Sequence, residues 1–261
     1  EKPHWVEKMV EHETVMEARN RLLEGANNLI FGHPLTRPLV ANTPSDPLIE
    51  IKDSVNRGGT TFILNHTTLT MTPNPKYQIG GQEARRSDMM WAIVNRYFRG
   101  FSVKAVGFPV DHIARNSLKA ELNVPKVKAE IIGSAMYAGL MFFLANNPSH
   151  TLVFTKKDIS EIQSFIELNI LDRMIQLEMS FYRIRGVHRS LKENFDEPLI
   201  QPLMNQLEDL FSDEKWSNLH QEVMQHLTSD NAEFLTTIRD VADDYAASDF
   251  ENDLKTNRNQ K

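Results

Sequence analysis

Arg183 and His188 come nearest to a catalytic set in both type and spacing, standing in the run Arg183-Ile184-Arg185-Gly186-Val187-His188. An imidazole takes and gives protons near neutral pH, and a guanidinium stabilises charge developing on a phosphate oxygen. Together they suit cleavage of a phosphodiester. A second set is basic: Arg85, Arg86, Arg96, Arg99 and Lys104, interleaved with Trp91, Tyr97, Phe98 and Phe101. Cations alternating with rings suit an anionic partner, and a single-stranded nucleic acid in particular. These aromatics, however, fall on the apolar stripe of a helix, where core packing accounts for them. Arg85 and Arg86 near that helix's start oppose its dipole and call for a partner of their own.

The Arg–His spacing resembles that of the HEPN family of helical ribonucleases, in which an arginine and a histidine separated by four to six residues act on an RNA phosphate and two protomers assemble the site. The resemblance covers this one short run and implies Arg183 and His188 as the acting pair. A polar residue usually follows the family's arginine, and here Ile184 does. The residues alone leave a second reading open, an exposed basic helix terminus placed favourably at the negative end of its dipole.

Other chemistries fail on spacing. His66 is followed five positions later by Met71, so the histidine–aspartate pattern of glycerolipid acyltransferases is absent. Glu222 and His226 share a helix face but lack a third ligand, which predicts a surface ion pair and no metal. No glycine-rich phosphate cradle and no G-x-S-x-G elbow occurs. With no cysteine there is no disulfide framework, thiol nucleophile, Cys-ligated zinc or iron–sulfur cluster. A cofactor is not expected.

These residues need elements to hold them. Apolar positions Trp5, Met9, Val10, Leu22, Leu23, Leu29 and Ile30 predict a first helix over 3–31. Pro34, Pro38, Pro44 and Pro47 then predict an extended arm. Residues 60–72, 101–108 and 150–155 read as short strands, and 82–99 and 127–146 as helices. Fifteen residues from Ile131 to Ala145 carry no charge. They reach only about 22 Å, against about 30 Å of membrane hydrocarbon, so a buried core helix is expected rather than a span.

Asp158 with Glu161 resembles a capping box opening a helix toward Lys192, which Gly186 would bend or end. Ile159, Ile162, Ile166, Ile170, Met174, Leu177, Phe181 and Ile184 form one stripe along it. Phe165, Leu168, Leu171, Ile175, Met179 and Tyr182 form a second. A helix apolar on two sides predicts neighbours on both. Three shorter amphipathic helices follow, begun by Pro198, Ser212 and Asp230.

The net charge of −6 divides unevenly. Residues 193–261 hold 16 acidic and 5 basic side chains, whereas 1–192 hold 19 acidic and 24 basic. Such segregation speaks of partners.

The fold class expected is therefore α+β and helix-dominated. It divides into an N-terminal helix with its proline-rich arm (1–47), a mixed part (48–155), a helical bundle (156–250) and a disordered tail (251–261). Without a coherent catalytic set, the expected role is a non-catalytic adaptor or structural subunit, cytoplasmic, in a hetero-complex with other proteins. An RNA-binding or RNA-cleaving protein using Arg183 and His188 is the alternative.

Overall fold

A computed structural model describes residues 14–34, 50–53, 78–79, 82–83, 87–98, 101–106, 121–148, 154–192 and 200–225. This part is helix-dominated. In chain order it holds α1 (Val15–Ile30), β1 (Glu50–Asp53), β2 (Gln78–Ile79), β3 (Gln82–Glu83) and α2 (Ser87–Ile93), which runs on into a π-helical turn over Val94–Phe98. Then come β4 (Lys104–Val106), α3 (Val124–Asn146), α4 (Lys156–Lys192), α5 (Ile200–Leu210) and α6 (213–225).

The α+β class expected from the sequence is not supported by the described residues. Their extended segments run two to four residues, and β1 pairs only with β4, as β2 does only with β3. Two-stranded ribbons of this length make no layer that could bury a helix. The predicted strand at 60–72 lies outside the described residues. At 150–155 the described end, Phe154 and Thr155, is not a strand, and Thr155 caps α4 instead.

Both long N-terminal boundaries are set by capping boxes. At α1, the Thr14 backbone N–H donates to Glu17 Oε2 at 2.7 Å and the Glu17 N–H donates back to Thr14 Oγ1 at 3.3 Å. The Thr14 N–H, and then the Thr14 hydroxyl at 2.8 Å, donate to the Glu17 carboxyl and hold it below its ordinary range. At α4 the box is Thr155 with Asp158, three residues before the predicted one: Thr155 N–H reaches Asp158 Oδ2 at 2.7 Å, and Asp158 N–H reaches Thr155 Oγ1 at 3.2 Å. Asp158 is thus the third residue of the helix, not its cap. The predicted helix at 3–31 is seen from Val15; residues 1–13 and the proline-rich stretch after Pro34 lie outside the described residues.

The helices fall into two compact units. One comprises α1, α3 as far as Ile132, α4 from Leu168, α5 and α6. Its core joins Leu22, Leu29 and Ile30 of α1, Ile170, Leu177, Phe181 and Ile184 of α4, and Ile200, Leu203 and Leu207 of α5. Phe181 stacks on Phe211 at 4.5 Å and 5°, and Phe211 meets Trp216 at 4.7 Å. The buried half of α1 packs on α5, so this stretch belongs to the core and is not a detached interaction arm.

The other unit comprises the ribbons, α2, α3 from Gly133 and α4 up to Glu167. Its core includes Trp91, Ile93, Met136, Leu140, Phe143, Ile162 and Ile166. In the π-helical turn that follows α2, the side-chain amide of buried Asn95 donates to the Trp91 carbonyl at 2.8 Å, the acceptor a regular helical bond would use. Among the described residues α3 is the one helix long and apolar enough to cross a membrane, and 67% of its most apolar window is buried. The buried reading of this helix rests on Gly139, where an added Cβ would stand 2.6 Å from Ile166 Cγ1 and 3.0 Å from Ile166 N. Only a hydrogen in place of a side chain lets the two backbones come so near.

Gly186 behaves in the opposite way. It was expected to bend or end α4, yet α4 continues unbroken to Lys192, roughly 55 Å in all, and a Cβ at 186 would meet nothing within 4 Å. Urea unfolding should therefore separate the two glycines. Gly139→Ala is expected to lose about 1–3 kcal/mol through overpacking, and Gly186→Ala to gain about 0.5–1 kcal/mol of helix propensity. Equal responses would contradict the packing described.

Candidate functional site

The most strongly specified polar site is buried in the first unit. α1 ends in a Schellman motif: His33 N–H donates to Asn28 O at 2.9 Å, and Gly32 N–H to Leu29 O at 2.9 Å. Gly32 takes the left-handed conformation, φ +76°, that the motif needs. A side chain there would also press on the Val127 backbone, 3.2 Å away. The turn thus delivers the Gly32 carbonyl and the His33 ring against α3 and α4.

Glu130 of α3 lies at their meeting point, only 2% exposed. Its Oε1 is 3.3 Å from His33 Nδ1 and 3.4 Å from Arg173 Nη2 of α4. The same Arg173 nitrogen lies 3.4 Å from the Gly32 carbonyl. A buried carboxylate is tolerated when paired and hydrogen-bonded, and here the pairing binds three chain segments together. Three or more His, Asp or Glu side chains able to hold one metal ion are not found together among the described residues. With Glu130 joined to α4 and to the turn after α1, the cluster clamps three segments together.

Sequence reasoning missed this site, although a signal existed. Arg173 is the one cation between Lys157 and Arg183, and it stands beside Met174 on the buried stripe. Glu130 likewise abuts the uncharged run of α3. A lone charge bordering apolar surface asks for a partner.

Arg183 and His188 both lie on α4. Five residues of helix turn them about 140° apart, so within one chain they leave the helix on different sides. His188 is half-buried. Burial, with the Lys192 charge beside it, holds its ring below the ordinary histidine range, while Glu208 pulls the other way. Arg185 meets Glu208 at 3.7 Å and lies over the Phe181 ring at 5.9 Å.

Of the basic set, Arg96 and Lys104 are described, whereas Arg85, Arg86 and Arg99 lie outside the described residues. Arg96 sits over the Tyr97 ring at 5.6 Å, and Lys104, which is exposed, stands opposite Asp53 in the backbone register of the β1–β4 ribbon. These two stand on different elements. Glu222 meets Lys128 at 3.4 Å, a partner the sequence reading did not foresee; His226 lies outside the described residues.

The remaining feature is a surface. α4 buries its first predicted stripe from Ile162 on, but of the second it exposes Leu168 (61%), Leu171 (37%), Ile175 (56%), Met179 (47%) and Tyr182 (55%). The remaining member of that stripe, Phe165, meets Phe142 of α3 at 4.4 Å; beyond it, the expectation of neighbours on both sides is met on one side alone among the described residues. At about 100° per residue these five fall within an arc of about 80°, opposite the buried stripe, over about 21 Å of helix. Contiguous large apolar side chains on a surface mark an interaction site more often than solitary ones do.

Compared with models of known families, with curated proteins and with solved structures, the chain matches none.

Two measurements check this account. Glu130→Gln should leave the Arg173 charge with a weaker partner and cost roughly 2–4 kcal/mol in urea unfolding; a loss under about 0.5 kcal/mol would show that the clamp carries no stability. For His188 the folded ring binds its proton less readily than the unfolded chain. Stability is therefore full above the ordinary histidine value, about 6.5, and is lost as pH falls toward the lower folded value. Between pH 7.5 and 5 the wild type should lose more stability than His188→Gln, and parallel curves would contradict the placement.

Proposed function

We propose that this chain is a non-catalytic interaction subunit that binds protein through the exposed apolar face of α4. The observation carrying this reading is the row Leu168, Leu171, Ile175, Met179 and Tyr182, five large side chains held in water by a helix whose other face is anchored in a core. Leaving such a row hydrated costs free energy that a protein partner would recover. The uneven charge of the chain, acidic beyond residue 192, supports a role performed by surfaces. Assembly with other proteins in the cytoplasm, as an adaptor or structural subunit, is the role that fits such a face. No membrane span, metal or cofactor enters this reading.

The second reading, RNA binding or cleavage through Arg183 and His188, keeps one observation in its favour. A half-buried histidine held neutral stands within five residues of an arginine, and a neutral imidazole is the form that acts as general base.

Tagged full-length chain and its Ile175→Asp variant, expressed in the native cell at equal levels, discriminate the two. The proposal expects the wild type to carry a specific protein companion, other or identical, that the variant loses, with single-stranded RNA left intact by both. Companions identical in the two samples would overturn it. RNA cleavage by wild type that disappears in His188→Ala would establish the alternative.

A further inference from the structure

The steps along the exposed row of α4 are three, four, four and three residues. The row is therefore symmetric about Ile175: Leu171 and Met179 lie four residues either side, Leu168 and Tyr182 seven. Reversing the helix direction superimposes the row on itself. An antiparallel copy would set Ile175 on Ile175, Leu171 on Met179, and Leu168 on Tyr182. A two-fold axis demands this self-complementarity of any isologous interface.

Charge then chooses the direction. Glu167 and Asp172 flank the first half of the row, while Arg183, Arg185 and Arg189 flank its end; Glu178 lies in the second half, level with Asp172 after reversal but on the other side of the row. Parallel copies would place like charges side by side. Antiparallel copies bring Glu167 of one alongside Arg185 of the other, because both residues leave α4 about 80° to the same side of Ile175 and are nearly level after reversal. Glu167 and Arg185 make intrachain contacts at their edges, with Gln163 at 3.4 Å and Glu208 at 3.7 Å. Exposed pairs of that kind hold little energy and rearrange readily.

Area sets the strength. Five large side chains, each about half exposed and about 200 Å² in full, present on the order of 500 Å² per copy and 1,000 Å² for two. That sits at the low end of specific interfaces and fits a reversible dimer.

We propose that the exposed face of α4 binds a second copy of this chain, as an antiparallel helix pair with Ile175 on the two-fold axis. The proposal rests on the reading of this face as a protein-binding surface and names the partner.

The cysteine-free sequence makes the test direct. Purified full-length chain is followed by sedimentation from about 1 to 200 μM, alongside Ile175→Asp, with helix content and thermal midpoint confirming that the variant folds. Leu168→Cys and Tyr182→Cys are also prepared singly, then mixed under mild oxidation. The expected result is a concentration-dependent dimer that Ile175→Asp weakens at least tenfold, and a disulfide joining the two different variants while neither links to itself. Leu168→Cys linking to itself would mean a parallel pair and overturn the proposal. So would a dimer untouched by Ile175→Asp, or a wild type monomeric throughout. In that last case, a companion protein lost by Ile175→Asp in cells leaves the protein-binding reading standing, and unchanged companions remove both.

Discussion

A carboxylate buried among apolar helices governs the first unit of this protein. Glu130 is 2% exposed, and a carboxylate buried there without partners would cost several kcal/mol in lost hydration or take up a proton. Arg173 and His33 meet it from α4 and from the turn after α1. Those contacts fix how the three segments meet, because the His33 ring and the Gly32 carbonyl arrive only through the left-handed turn at Gly32. Apolar burial supplies most of the stabilisation, yet it is non-directional. The clamp supplies the direction.

The clamp also bears on the surface. With Ile170, Met174, Leu177, Phe181 and Ile184 turned inward on the Arg173 side, the opposite side of α4 has no choice but to point outward. A regular helix transmits that orientation rigidly over its full length. The exposed row is thus a consequence of how well the other face is held.

The helical skeleton was largely legible. The apolar stripes on α4, the four positions Ile200, Leu203, Leu207 and Leu210 of α5, and the compact, small-residue packing of α3 all follow from periodicity and residue size. Helix starts were less so: Asp158 resembles a cap, but Thr155 has the better geometry because Asp158 can then return its own carboxylate to the cap backbone. Ser212 stands at the predicted cap of α6, its carbonyl accepting from the Trp216 N–H at 2.8 Å, but its hydroxyl turns back to donate to Asp209 O at 2.9 Å. Which of the two stripes on α4 is buried could not be read at all, since Ile166 and Ile175 are chemically alike and only tertiary partners separate them. The polar clamp was hidden for a related reason: its members stand at 33, 130 and 173, and pairings across such distances leave no local pattern. The strand read at 101–108 is present only as the three residues of β4, paired with β1 alone, because β-branched runs prefer half-buried pleated surface and need a sheet to act on; the Thr-rich run 60–72 lies outside the described residues.

The central claim is that opposite sides of one helix are core and contact face. Single-cysteine labelling reads this most directly. Ile170→Cys and Ile175→Cys are each placed in the cysteine-free chain, and the rate of maleimide modification is followed as protein concentration rises. The account predicts that position 170 stays protected throughout, while position 175 reacts at the rate of a free thiol when dilute and slows as the chain is concentrated. Protection at 175 that is already complete at the lowest concentration would contradict it.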